Sequence, residues 1–240
     1  SVPARADAVA DYYKGKAISL FIGFGAGGGY DSYARIFARY FGKHVPGNPT
    51  VVPKNMPGAG GLKAANFLAN AAPQDGSSIG MFAASIALEP LFGNPKAKFK
   101  TLDFNWIGNI NRDIFACGVW KTTGVRKFSD MLTKPVIFGA SGPGAITSQH
   151  PMVMKNVLGA NVRVILGYKG TKGINLAMQK GEVNATCGLT ESSTRSRWGQ
   201  DVETGDLKVI IQFGREKVPY FGDAARIYDL AKSESEKQIF

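Results

Sequence analysis

Two glycine-rich loops contain the residues best suited to chemistry. The first spans residues 23–29 (GFGAGGG) and the second residues 56–61 (MPGAGG), and each stands between a strand-like run and a helical pattern. Glycine permits torsions at which consecutive N–H groups converge, and the N-terminus of the following helix adds partial positive charge. The loops therefore predict a cradle for an anion such as a carboxylate or a phosphate. The alternative, tight turns without a ligand, is disfavoured because two such loops occur in consecutive units.

The first loop also satisfies the dinucleotide-binding pattern GxGxxG, through Gly23, Gly25 and Gly28. That pattern needs an acidic residue about 20 positions later to hold the ribose hydroxyls. No Asp or Glu occurs from Ser32 to Gln74, so the sequence argues against a nucleotide site. Asp31 is expected in the first turn of the following helix, in the role of a capping residue.

Other reactive side chains form no recognisable catalytic set. His44 and His150 are the only histidines, and because neither has partners at metal-binding spacing, both are expected at the surface. Ser141 follows a strand, but its surroundings do not fit a nucleophile elbow, so it is a candidate hydrogen-bond donor. Cys117 and Cys187 are either one disulfide or two buried thiols. The sequence predicts a protein that is not an enzyme and has no cofactor and no metal.

Predicted strands and helices alternate along the chain, which is typical of an α/β fold with parallel strands. The first helix should bury an apolar face made of Tyr33, Ile36, Phe37, Tyr40 and Phe41. We expect strands at 17–24, 50–52, 78–82, within 106–120, and at 136–140, 162–166, 182–187 and 207–213. We expect the other helices at 62–70, 86–92, 127–132, 146–158 and 174–179. Chain crossings near residues 115 and 214 predict one lobe of residues 1–115 plus 215–240 and a second lobe of residues 116–214.

Composition excludes several classes of protein. The chain has 240 residues, of which 44% are hydrophobic and 20% charged, as in ordinary globular proteins. No run approaches the about 18 apolar residues that a membrane-spanning helix needs. The net charge is +11, but the basic residues are scattered without the pattern of a nucleic-acid-binding arm, so nucleic acid is not expected as a partner. The N-terminal stretch has no apolar core of a signal peptide, so any secretory signal is absent from this sequence.

Three motifs in the first half resemble the Bug family, the solute receptors of tripartite tricarboxylate transporters. The family's loop–helix motif, two glycines followed closely by an aspartate, matches Gly28–Asp31, its PGAGG loop matches Pro57–Gly61, and its PxDG turn matches Pro73–Gly76. The second half is similar to the family in GPG (142–144), GYKGT (167–171) and GEV (181–183). The resemblance therefore covers nearly the whole chain.

The resemblance implies an α/β, two-lobed periplasmic binding protein-like fold (type II) with a ligand cleft between the lobes. It implies a periplasmic, monomeric receptor that captures a small organic acid and delivers it to the membrane subunits of a tripartite transporter. A carboxylate sensor with a signalling partner is the alternative. Family members usually continue past the position of Phe240, with elements that return to the first lobe. The implied ligand-binding residues are Gly27, Gly28, Tyr30, Asp31, Gly58, Ala59, Gly60 and Gly61 in the first lobe, and Ser141, Gly142, Thr147, Ser148, Tyr168 and Thr190 in the second.

Overall fold

The computed structural model describes residues 4–111 and 113–239 in two compact units. One unit extends to Gly108 and the other begins at Asn109. Each unit has its own sheet and its own buried apolar residues. Within the described ranges, no helix is both long and apolar enough to cross a membrane.

The first unit contains a three-stranded parallel sheet in the order β2-β1-β3. The central strand β1 buries Ile18, Leu20 and Ile22, because it is covered by helices and paired on both edges. Pro53 lies in β2, which is an edge strand and tolerates a residue without an N–H group. The elements are α1 Ala4–Tyr13, β1 Ala17–Ile22, α2 Gly29–Phe41, β2 Thr50–Asn55, α3 Leu62–Asn70 and β3 Ser78–Met81.

Helix α2 is amphipathic, but its buried face differs from the predicted one. Ala34 is fully buried, and Tyr30, Phe37, Ala38 and Phe41 pack against the strands. Ile36 and Tyr40, which the sequence placed on the buried face, are 56% and 58% exposed. The helix begins at Gly29, and Asp31 in its first turn is also buried. The buried side of the helix therefore includes residues next to the first glycine loop.

The second unit contains a six-stranded mixed sheet in the order β6-β5-β7-β4-β8-β9. Strand β4 runs antiparallel to both of its neighbours, and the pairs β5/β6, β5/β7 and β8/β9 are parallel. The strands are β4 Phe115–Trp120, β5 Val136–Ala140, β6 Val162–Leu166, β7 Ala185–Leu189, β8 Leu207–Phe213 and β9 Ala225–Arg226. The helices are α4 Ile146–Asn156, α5 Thr171–Gln179, α6 Glu191–Arg197, α7 Gly199–Glu203 and α8 Glu234–Lys237.

A disulfide joins Cys117 in β4 to Cys187 in β7. The two residues are directly opposed in the antiparallel pair, with Cα atoms 4.0 Å apart, and both are fully buried. Of the two possibilities that the sequence left open, the structure has the bridge.

Two parts of the chain differ from the sequence-based expectation. Residues 86–92 form no α-helix, and a 3₁₀ turn at Ala84–Leu88 is followed by Pro90. Residues 215–239 lie in the second unit instead of the first, because β9 pairs with β8 and Phe221 and Ile227 pack into the second unit's core clusters. The unit boundary at Gly108 also precedes the expected crossing near 115.

Candidate functional site

The first unit brings its glycine loops to one edge of the sheet. All three strands are parallel, so the loops that follow β1, β2 and β3 leave from the same carboxyl edge. Ligands of open α/β sheets bind at that edge, where helix N-termini also point. Helix α2 begins at Gly29 after the first loop, and α3 begins at Leu62 after the second.

The first loop is fastened by the side chain of Asp31. Its carboxylate is buried and accepts hydrogen bonds from Gly27 N–H (2.8 Å), from Arg35 Nε (2.9 Å) and from Asn55 Nδ2 (2.8 Å). Asn55 ends β2, and its amide also donates to the carbonyl of Phe24 (3.0 Å). Asp31 therefore positions the loop, and the N–H group of Gly27 is engaged within the protein.

The electrostatics of Asp31 fit this role. Burial alone would raise the pKa of the Asp31 carboxyl, but hydrogen bonds from Arg35, Gly27 and Asn55 outweigh burial and hold that pKa below its ordinary value of 3.8. The side chain is thus an anion already satisfied by three donors.

The second loop turns through a left-handed backbone. Ala59, Gly60 and Gly61 have φ values of +47°, +70° and +103°. The N–H groups of Gly61 and Lys63 donate to the carbonyl of Gly58, at 3.0 and 3.4 Å, which closes the turn. Among the described residues, no group accepts a hydrogen bond from the N–H groups of Ala59 and Gly60. These two amides are free donors beside the N-terminus of α3.

The two loops touch each other. A Cβ atom on Gly23 would lie 2.8 Å from Cα of Gly61, so only glycine at position 23 permits this approach. The ring of Phe24 stacks on that of Tyr30, with centroids 4.3 Å apart, and burial raises the pKa of Tyr30 to about 12. The sequence-predicted residues of the first unit therefore form one contiguous region.

In the second unit, the loop between β5 and α4 carries buried hydroxyls. Ser141 N–H donates to Thr147 Oγ1 (3.1 Å), and Ser148 Oγ donates to the carbonyls of Gly142 (2.8 Å) and Pro143 (2.5 Å). The Oγ atoms of Ser141 and Thr147 are 3.3 Å apart. These bonds hold the loop in a fixed conformation at the carboxyl end of β5.

Tyr168 and Thr190 lie at the same edge of the second sheet, since β5, β6 and β7 are parallel. Tyr168 N–H donates to the carbonyl of Ala140 (3.2 Å), and burial followed by the charge of Glu182 raises the Tyr168 pKa. Thr190 caps α6, because its Oγ1 accepts from Ser193 N–H (3.2 Å). The second unit thus gathers its predicted residues along one sheet edge.

Sequence reasoning missed three residues of these regions. Asn55 holds the first loop, and its place at the end of β2 was the available signal. Ser85 is 5% exposed in the turn after β3. His150, expected at the surface, instead stacks on Phe213 with centroids 3.7 Å apart, its Nδ1 is buried, and burial lowers the His150 pKa to about 3. The described residues contain no group of three or more His, Cys, Asp or Glu placed to hold a metal ion.

Comparison with known families supplies the decisive observation. The sequence model of the tripartite tricarboxylate transporter family receptor, TctC, matches residues 34–239. The chain belongs to this family. The match includes the second glycine loop and the whole of the second sheet. The resemblance to the Bug receptors is confirmed.

Individual relatives are distant in sequence and close in fold. A UPF0065 protein of Cupriavidus necator is 25% identical over 236 residues, which are 96% of this chain and 68% of that protein. The periplasmic binding protein BugD has a TM-score of 0.77 at 21% identity, over 90% of this chain and 72% of that chain. MatC from Rhodopseudomonas palustris, solved with bound malate, has a TM-score of 0.74 at 20% identity over the same shares. The fold of this TctC-family receptor is that of the periplasmic binding proteins.

Proposed function

We propose that this chain is a periplasmic receptor that captures a small organic acid and delivers it to the membrane subunits of a tripartite tricarboxylate-type transporter. The family supports the receptor role, and MatC was solved with the dicarboxylate malate. The buried disulfide fits an oxidising compartment.

The observation that carries the proposal is the free pair of amides at Ala59 and Gly60. Both N–H groups lie in a left-handed turn before the N-terminus of α3, where the helix dipole favours negative charge. The touching loops and the Asp31 network hold this backbone before any ligand arrives. Preorganised amides bind a carboxylate without a cation and with little loss of conformational entropy.

The second unit supplies further candidate ligand-binding groups in this proposal. Ser141, Thr147, Tyr168 and Thr190 place hydroxyls or amides at the carboxyl edge of their sheet. Their neutral donors and acceptors suit the uncharged parts of an organic acid. The hydrogen bonds between Ser141 and Thr147 hold these two residues in a fixed arrangement.

A ligand screen tests the proposal. Malate, succinate, adipate and citrate are added to the purified chain, with succinamide as a control that lacks the carboxylates. At least one acid should raise the melting temperature and bind one-to-one by calorimetry, because binding to the native state stabilises it. Succinamide and nicotinamide adenine dinucleotide should have no effect. Absence of binding by all four acids, or equal binding of succinamide, would overturn the proposal.

Delivery is tested separately with membrane vesicles that contain the two transporter subunits. Uptake of the acid that binds best should depend on added receptor. If the receptor binds the acid tightly and uptake neither needs it nor responds to it, the transport part of the proposal fails while carboxylate binding stands.

A further inference from the structure

The turn after β3 brings a third loop to the carboxyl edge of the first sheet. Strand β3 ends at Met81, and residues Ala84–Leu88 form a 3₁₀ turn immediately afterward. Because β3 is parallel to β1, this turn leaves from the same edge as the two glycine loops. The sequence analysis assigned it no function.

Ser85, inside this turn, has a buried hydroxyl without a partner. The residue is 5% exposed, and among the described residues no group forms a hydrogen bond with its Oγ. Leaving a buried hydroxyl unsatisfied costs about 1–3 kcal/mol, and native proteins rarely tolerate it without a reason. A ligand that accepts this hydrogen bond would remove the cost.

The surroundings of Ser85 connect it to the second glycine loop. Its neighbour Ile86 reaches 3.6 Å from the position that a Cβ on Gly61 would occupy. Ile86 also belongs to a buried cluster with Phe24, which lies in the first loop, and Leu62, which follows the second. Ser85 is therefore adjacent in the chain to the residue that supports the turn bearing the free amides.

A buried charge four residues further along the chain is engaged elsewhere. Glu89 is 4% exposed, and its Oε2 accepts a hydrogen bond from Asn94 Nδ2 at 2.6 Å. Its carboxylate is thus engaged with the following turn.

We propose that Ser85 is a further ligand-binding residue, whose hydroxyl donates a hydrogen bond to an oxygen of the carboxylate held by the amides of Ala59 and Gly60. The inference rests on the proposed function and deepens it, because it adds a side-chain donor of the first unit to the backbone amides of Ala59 and Gly60. A hydroxyl that is unpaired in the free protein gives its whole hydrogen bond to the ligand.

The test compares Ser85→Ala with the wild type by calorimetry and by unfolding without ligand. The probe is whichever of malate, succinate, adipate and citrate binds the wild type best. The variant should bind that acid about 10- to 100-fold more weakly, since a hydrogen bond to a charged group contributes about 1.5–3 kcal/mol. Without ligand, it should be as stable as the wild type or slightly more stable, because no bond within the protein is lost.

Ser77→Ala is the matched control. Ser77 Oγ donates to Asp75 Oδ1 (2.6 Å) at the surface of the same unit, so its loss should leave affinity unchanged. A Ser85→Cys variant keeps a similar shape with a weaker donor and should bind between Ser85→Ala and the wild type.

Three outcomes distinguish a failure of the Ser85 proposal from a failure of the proposed function. Unchanged affinity in Ser85→Ala, with a wild type that binds, would overturn this inference and leave the proposed function standing. A loss of stability in the ligand-free Ser85→Ala protein would also overturn it, because the hydroxyl would then have a structural partner. Failure of the wild type to bind any of the four acids would instead overturn the proposed function.

Discussion

The carboxylate of Asp31 links the first glycine loop to helix α2 and to the end of β2. It receives three donors from three different parts of the first unit, which are the loop itself, the helix and the strand. Removing this acceptor leaves Gly27 N–H and the Asn55 amide without their partner, and leaving buried donors unpaired is costly. Arg35 is different, because its side chain is 48% exposed and water can replace it.

Asp31→Ala should therefore lower the free energy of unfolding by about 2–3 kcal/mol, and Arg35→Ala by only about 0.5 kcal/mol. Chemical denaturation measures both. Asp31→Ala should also weaken binding of the organic acid, since the first loop loses its anchor. Equal effects of the two substitutions would contradict the positioning role of Asp31.

The carboxylate of Asp31 also makes the stability of the protein depend on pH, in a direction set by its lowered pKa. Because the folded-state pKa of Asp31 is lowered below 3.8, its contribution is fully present above that value and is lost as the pH falls through the folded-state pKa. The stability difference between the wild type and Asp31→Asn should be constant near neutral pH and shrink below about pH 4. Urea unfolding across this range measures it, and a gap that widens in acid would contradict the assignment.

Gly60 and Gly93 form a matched pair for testing the second loop. Their φ values are +70° and +68°, so valine at either position is forced into the same unfavourable backbone region. Each substitution should cost about 1–2 kcal/mol of stability. Only Gly60→Val should abolish binding of the organic acid by calorimetry, because Gly93 lies outside the loop. If both variants kept wild-type affinity, the amide cradle at 59–60 would be wrong.

Strand β4 is held to β7 by the disulfide as well as by the backbone ladder. The bridge closes a segment with a sequence separation of 70, and the chain-entropy account assigns such a loop about 4 kcal/mol. Cys117→Ala/Cys187→Ala should lower the free energy of unfolding by about 2–4 kcal/mol. Thiol counting in denaturant without reductant should find no free thiol in the wild type, and two free thiols would show that the bridge is absent.

Elements with strong apolar patterns were predictable from sequence, and polar ones were not. Strands Val136–Ala140, Val162–Leu166 and Leu207–Phe213 and helix Leu62–Asn70 have the predicted bounds. Each is bounded by glycine, proline or polar turns, so pattern and structure agree. Helix α6 (ESSTRSR) was missed because it has no apolar periodicity and is specified by the Thr190 cap.

The candidate site could be predicted from sequence only where its shape depends on backbone torsions. Glycine content marked both loops, because their backbones adopt torsions that glycine permits. The pairing of Asp31 with Asn55 spans 24 positions, and no local pattern reports such a contact. The burial of Ser85 likewise follows from tertiary packing of a 3₁₀ turn, of which only the part from Ile86 onward was expected to be helical.

Across the whole chain, net charge and family membership are compatible with the acidic small ligand that we propose. The net charge of +11 favours anions in general. The free amides of the second loop are the position at which we propose that an anion binds. TctC membership supports the receptor role.

The most direct test of carboxylate capture is a ¹⁵N–¹H NMR titration of the full chain with malate, succinate, adipate or citrate. For the acid that binds, the amide resonances of Ala59 and Gly60 should move downfield to saturation at one equivalent, as new hydrogen bonds form, while Gly93 stays unmoved. Binding that leaves the amides of Ala59 and Gly60 unshifted would contradict the account.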